Sequence, residues 1–263
     1  MTRNSKIVEL THSVVHYYSE GEGPKILFLH GTNSDGESSF GHIVNEFSKE
    51  RTVIIPDYAG CGKSTLPQGE ITVEKLAEQV AEIIKDSSKN PIDLVGISIG
   101  AVVAAVVAAR YPELVRKLVL TAPWATSQDP RHQFIFQTWL KLEMNNPDDA
   151  MAFSLSHVLS PEFLVSLGDE KIKQICNKPP AKDIDKRIKL GLDIDICDLL
   201  SHIDKPTLVI GLKFDTLIPP YQAERVHKSI KGSKYAEIMS GHAVQIENPR
   251  DWVACVKDFL QKI

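Results

Sequence analysis

Two hydrophobic periods take turns along this chain. "SVVHYY" and "KILFLHG" are short runs rich in β-branched and aromatic residues, parted by the turn-forming "SEGEGP", and they predict two strands. "RTVIIPD" predicts another, stopped at Pro56. In "TVEKLAEQVAEIIKD" the residues Val73, Leu76, Ala77, Val80, Ile83 and Ile84 recur at helical spacing, with Glu74, Lys75, Glu78 and Glu82 on the opposite side. That pattern predicts an amphipathic helix. "PIDLVGIS" is apolar almost throughout, as a strand covered on both faces must be. A helix from about Ile99 to Arg110, ended by "YP", and the strand "RKLVLTAP" follow. Such a succession builds βαβ units and a parallel sheet.

At about Trp124 the strand signal stops. From there to about Ile203 the chain reads as amphipathic helices and Pro-containing turns, and the alternation resumes at "KPTLVIGL", "QAERVHKSI", "KYAEIMS" and "WVACVKDFLQKI". The closing strands and helices are too few to fold alone. The expectation is therefore one α/β core, residues 1–123 and 204–263, interrupted by a helical cap over 124–203.

Composition narrows the function classes. With 263 residues, 43% hydrophobic and 24% charged, this is an ordinary globular composition. A formal net charge of −4 without a dense Lys/Arg run argues against nucleic acid as a partner. The most apolar run, "AVVAAVVAA", is too short to span a bilayer and predicts a buried helix. "MTRNSKIVEL" lacks the apolar stretch of a secretory signal. Cys61, Cys176, Cys197 and Cys255 are scattered, with no CxxC pair and no His at ligand spacing. Free thiols in a reducing cytoplasm are the expectation, with neither disulfide nor metal site implied, and no cofactor.

"GCGKST", residues 60–65, looks like the end of a phosphate-binding loop. The loop G-x-x-x-x-G-K-[ST] needs its first glycine at position 57 and a helix directly after it. Position 57 is Asp57, and "TLPQGE" follows, with Pro67 and Gly69 as breakers. Both requirements fail, which leaves a Gly-rich turn after a strand, with Asp57 as a turn-stabilising residue.

The chemistry lies in "LVGISIGAVVA". Gly96-Ile97-Ser98-Ile99-Gly100 fits G-x-S-x-G, placed between a buried strand and a helix. A serine there sits on a strained turn, and the start of the next helix directs N–H groups at developing negative charge. In this context the chain resembles the α/β-hydrolase fold enzymes. The matching pieces run from "LFLHGT" through "VIIPDYAGCGKS", "DLVGISIG" and "YPELVRKLVLTAP" to "TLVIGLKFDTLIPP" and "SGHAVQIENP". They cover nearly the whole chain outside the insertion.

The resemblance implies a nucleophile, acid and histidine in that order: Ser98, Asp215 after the strand "TLVIGL", and His242 in "SGHAVQIENP". It implies an oxyanion hole from the backbone N–H groups of Ile99 and Thr32, with His30 bracing that loop. Standing alone, Asp215 would read as a turn residue and His242 as a loop residue; His12, His16, His202 and His227 read as structural or solvent-facing. The helical insertion becomes a lid, in which Trp124, Phe134, Phe136, Trp139, Leu140, Met144 and Phe153 supply apolar surface. Asn33, Trp124, Phe134 and Trp139 are the candidate substrate contacts, and packing of lid on core is the competing role. No Arg-rich cluster in the lid demands an anionic substrate.

By resemblance, then, this is a serine hydrolase of a small-molecule ester, lactone or thioester, akin to 3-oxoadipate enol-lactonases and pimeloyl-ester esterases. Ser98 excludes the Asp nucleophile of haloalkane dehalogenases and epoxide hydrolases. C–C bond hydrolases, lyases, perhydrolases, and thioesterases or cyclases acting on carrier-bound acyl chains use the same triad. A ligand receptor on the same fold, or a peptidase, is the rival from another class.

Overall fold

The computed structural model describes residues 4–10, 13–66, 69–178 and 181–262; His12 and Pro67 lie outside them. The strands are β1 (Asn4–Glu9), β2 (Val14–Glu20), β3 (Lys25–Leu29), β4 (Thr52–Pro56), β5 (Ile92–Ile97), β6 (Val115–Thr121), β7 (Thr207–Leu212) and β8 (Lys234–Ile238). They form one sheet in the order β1-β2-β4-β3-β5-β6-β7-β8. From β4 to β8 every pairing is parallel, while β1 and β2 are antiparallel additions at one edge.

The helices are α1 (Gly36–Phe40), α2 (Val44–Phe47), α3 (Val73–Ser87), α4 (Ile99–Arg110), α5 (Pro130–Asn145), α6 (Pro147–Val158), α7 (Pro161–Cys176), α8 (Ile184–Leu192), α9 (Cys197–Leu200), α10 (Pro220–Ser229), α11 (Val244–Glu247) and α12 (Pro249–Gln261). Thr72 caps α3, its hydroxyl accepting from the Lys75 N–H, which offsets one orphan donor of the first turn. α3 buries Val73, Leu76, Ala77, Val80, Ile83 and Ile84, the stripe that the spacing predicts. α4 is apolar all round because it touches β3, β5 and β6 on one side and α3 and α9 on the other; every residue from Ile99 to Ala108 is buried. All six residues of β5, and all six of β7, are likewise buried. Among the described residues, no helix is long and apolar enough to cross a membrane.

Five helices, α5 to α9, lie between β6 and β7. The insertion has a neck: Thr126 pairs with Asp195 in an isolated antiparallel bridge, flanked by the Ser127 N–H to Ile194 carbonyl and Ile196 N–H to Ala125 carbonyl bonds, both 2.8 Å. Beyond the neck, α9 packs on α4 and α10 of the core. The second strand of this neck, at Asp195, lies about eight residues before Ile203 in the chain.

Candidate active site

Ser98 joins β5 to α4 with φ 58° and ψ −127°, a region that L-residues avoid and that costs of order 1–3 kcal/mol. The flanking glycines make the turn possible. A Cβ on Gly100 would overlap the Leu29 carbonyl, and one on Gly96 would overlap the backbone of Gly100. Strand and helix therefore approach more closely than any other residue pair would permit. The N–H of Ile99 belongs to the first turn of α4, where no intrahelical acceptor exists.

The loop after β3 lies against this serine. A Cβ built on Gly31 would sit 3.5 Å from Ser98 Cβ and 4.0 Å from its Oγ. His30 holds the loop: the Tyr58 N–H donates to its Nε2 at 3.3 Å, so Nδ1 carries the proton and donates to the Gly31 carbonyl at 2.9 Å. Burial pushes the His30 imidazole down to about 4, which keeps it neutral and fixes that tautomer. Thr32 is buried and Asn33 half-buried on the same loop.

Asp215 follows β7 and His242 follows β8, at the same edge of the sheet as Ser98. His242 Nδ1 and Asp215 Oδ2 are 2.6 Å apart. The other carboxylate oxygen, Oδ1, accepts from the N–H groups of Leu217 (2.9 Å) and Ile218 (2.8 Å). The carboxylate is thus held on both oxygens, and His242 donates from Nδ1, leaving Nε2 as its basic nitrogen. Ser98 Oγ makes no hydrogen bond among the described residues, a loose geometry common before substrate binds.

The cap is tied to these loops. The Ala243 N–H donates to the Val158 carbonyl at 3.2 Å, and the Thr216 hydroxyl donates to the His157 carbonyl at 3.2 Å. Glu247 bridges the Ser160 and Gly241 N–H groups, at 3.0 and 2.9 Å. From α8, Arg187 Nε donates to the Thr32 carbonyl at 2.8 Å. Glu247 and Arg187 carried no local sequence signal.

The aromatic candidates are placed differently from one another. Trp124 is fully buried and meets His132 and Phe136, with its indole N–H on Ser127 Oγ; Trp139 is buried against Phe136. Both pack the cap. Phe134, on the outer side of α5, is 67% exposed, so the turn of the helix sends it to solvent. The cavity beside Ser98 is lined instead by Tyr58, Ile71, Leu76, Arg187 and Leu190, together with Gly31, Ala59 and Ile99. Asp57 is a turn residue: its Oδ1 accepts from the Gly36 N–H (3.0 Å) and its Oδ2 from the Lys63 N–H (3.1 Å).

Comparison with known proteins gives the family and the fold. A family model described as the alpha/beta hydrolase fold matches residues 24–249. Pyrrolizixenacetamide deacetylase of Xenorhabdus hominickii is 32% identical over 257 residues, 96% of this chain and 97% of that protein. Serine hydrolase BPHL of Homo sapiens is 27% identical over 256 residues, 94% of this chain and 83% of that one. Among solved structures, MGS-M2, an alpha/beta hydrolase enzyme from a Medee basin deep-sea metagenome library, superposes with a TM-score of 0.89, covering 98% of each chain at 21% identity. That last likeness is one of fold.

Proposed function

The chain belongs to the alpha/beta hydrolase fold family and is a hydrolase, and on that premise we propose that it cleaves an ester, lactone or thioester of a small or medium-sized carboxylic acid through an acyl-enzyme on Ser98. The observation that carries the reading is the backbone of Ser98, held at φ 58° between Gly96 and Gly100. A protein that only bound its ligand would gain nothing from a serine strained in this way.

In this reading His242 Nε2 takes the Ser98 proton as Oγ attacks the carbonyl carbon. The tetrahedral oxyanion meets the N–H groups of Ile99 and Thr32, each donor of this kind being worth about 3 kcal/mol to the transition state. Collapse expels the leaving heteroatom, which takes the proton from His242. Water, deprotonated by the same nitrogen, then attacks the acyl-enzyme and returns Ser98. Asp215 keeps Nδ1 protonated and stabilises the imidazolium in both halves.

A second reading, hydrolysis of an N-acyl bond, is favoured by the 32% likeness to a protein named a deacetylase. The chemistry is the same with nitrogen as leaving atom. A p-nitrophenyl ester ladder from acetate to decanoate, with p-nitroacetanilide alongside and a fluorophosphonate label as a site count, tests both. Turnover with a chain-length optimum, abolished in Ser98→Ala, is the expected result. A folded protein that neither labels at Ser98 nor turns over any substrate would sink the assignment.

A further inference from the structure

Arg187 is 6% exposed, yet no acidic side chain bonds it among the described residues. Its Nε donates to the Thr32 carbonyl (2.8 Å), and Nη1 donates to the Gly60 carbonyl (3.3 Å) and to Cys61 Sγ (3.0 Å). Among the described residues Nη2 has no hydrogen-bond partner, and it keeps some exposure to solvent. Burying a guanidinium without an anion is costly. Cys61 is not the missing anion, because burial pushes its thiol up to about 11.

Close by is a polar group that is fully buried and has no partner. The Tyr58 side chain is 3% exposed and its hydroxyl has no hydrogen-bond partner, whereas buried tyrosines ordinarily find one. Arg187 and Tyr58 line one cavity, which holds about 10 Å³, room for roughly one water. Gly31 and Ile99 form its wall on the side of the oxyanion hole, and Ile71, Leu76 and Leu190 form an apolar wall. His242 is not on its lining. A leaving group must face His242 to receive a proton, so this cavity lies on the acyl side. Ile71 and Leu190 also line a larger outer groove of about 390 Å³, which carries Glu70, Glu74, Asp193 and Asp195 beside Lys186 and Lys189, so a chain of a few carbons entering from that side would have to displace these two side chains.

We propose that Arg187 and Tyr58 form an anion-recognising subsite, and that the substrate's acyl part carries a carboxylate a few bonds from the scissile carbonyl. One carboxylate oxygen accepts from Arg187 Nη2 and the other from the Tyr58 hydroxyl, while the intervening methylenes lie on Ile71, Leu76 and Leu190. This deepens the acyl-hydrolase reading and rests on it. It also revises the view that the lid makes no demand for an anion: one arginine, buried without a counterion, does what a surface cluster would not.

The test compares monomethyl succinate and monomethyl glutarate with their dimethyl esters, following methanol release by wild type, Arg187→Met and Tyr58→Phe. Charged hydrogen bonds of this kind predict that wild type favours a monoanion by roughly 10- to 100-fold in kcat/KM. Arg187→Met should bring that ratio to about one, and Tyr58→Phe should lower it several-fold. Equal handling of both esters by wild type overturns the proposal. So does an Arg187→Met enzyme that loses both substrates in equal proportion, since that is the signature of a strut for the Thr32 carbonyl. Calorimetric binding of the same esters to Ser98→Ala separates the two readings. Tighter binding of the monoanion, lost on adding Arg187→Met, supports the subsite even if no ester is turned over; indifference to the carboxylate overturns it even if esters are cleaved.

Discussion

If the turn at Ser98 stores strain, removing its Cβ should release it, and an Ala-to-Gly exchange there should behave unlike the same exchange elsewhere in the core. Ala104, in the middle of α4 and fully buried, is the control. Going from Ala to Gly at 104 loses about 0.5–1 kcal/mol in backbone entropy and about 0.8 kcal/mol for one buried methyl group, a destabilisation of roughly 1.5 kcal/mol. At 98, Ser98→Ala and Ser98→Gly differ by the same two terms, opposed by the strain of φ 58° and ψ −127°, which contributes about 1–3 kcal/mol. The expected outcome is that Ser98→Gly lies between about 0.5 kcal/mol below and about 1.5 kcal/mol above Ser98→Ala in stability, whereas Ala104→Gly falls roughly 1.5 kcal/mol below wild type. Urea unfolding followed by circular dichroism reads both differences, and none of the comparisons needs a substrate. If the exchange at 98 costs as much as at 104, the turn is not strained, and the main argument for Ser98 as nucleophile goes with it.

Three further outcomes follow from the same geometry. His30 titrates at about 4 in the folded chain because it is buried, against an ordinary 6.5, so the unfolded chain takes up its proton first as pH falls. Its contribution is complete above pH 6.5 and fades towards pH 4; wild type should lose about 2 kcal/mol more than His30→Asn between pH 7.5 and 5 in urea titrations, and parallel pH curves would refute the neutral brace. Asp215→Asn should lower kcat by roughly 10⁴-fold, because the amide oxygen stays on the Leu217 and Ile218 N–H groups and turns the NH₂ towards His242 Nδ1, forcing the wrong tautomer; a loss under tenfold in steady-state assays would contradict it. Gly100→Ala should destabilise by about 2 kcal/mol or more through overlap with the Leu29 carbonyl, read as a lowered urea midpoint; an unchanged midpoint would show that helix and strand are not in close approach.

The parts of the fold legible in the sequence are those where burial imposes a period. β5 and β7 are apolar but for Asp93 and Thr207 because every residue of both strands is buried, and α3 shows its stripe because one side meets water. β1 escaped notice for the opposite reason. It pairs only with β2 at the sheet edge, and its side chains are almost all exposed, so no apolar alternation marks it. α1 and α2 are five and four residues long, too short for a helical period to register. Ser98, Asp215 and His242 were findable because the topology puts each directly after a strand, and local context names the strand. Arg187 was not. It bonds Thr32 across 155 residues of sequence, and an arginine on an amphipathic helix looks the same whether it faces water or the active site.

The false phosphate loop shows how closely the two kinds of information are joined. In a true loop of that type, backbone N–H groups converge on a phosphate. Here they converge on the Asp57 carboxylate, which accepts from Gly36 and from Lys63 and stands at the position where the motif asks for glycine. Burial raises the Asp57 pKa while those two N–H bonds oppose the rise. The anion that such a turn calls for is therefore covalently part of the chain. The same turn carries Tyr58, Gly60 and Cys61, the first against His30 and the other two against Arg187. Asp57 thus takes the place of a bound anion in this turn, and the residues next to it, Tyr58 and Ala59, line the small cavity that Arg187 shares.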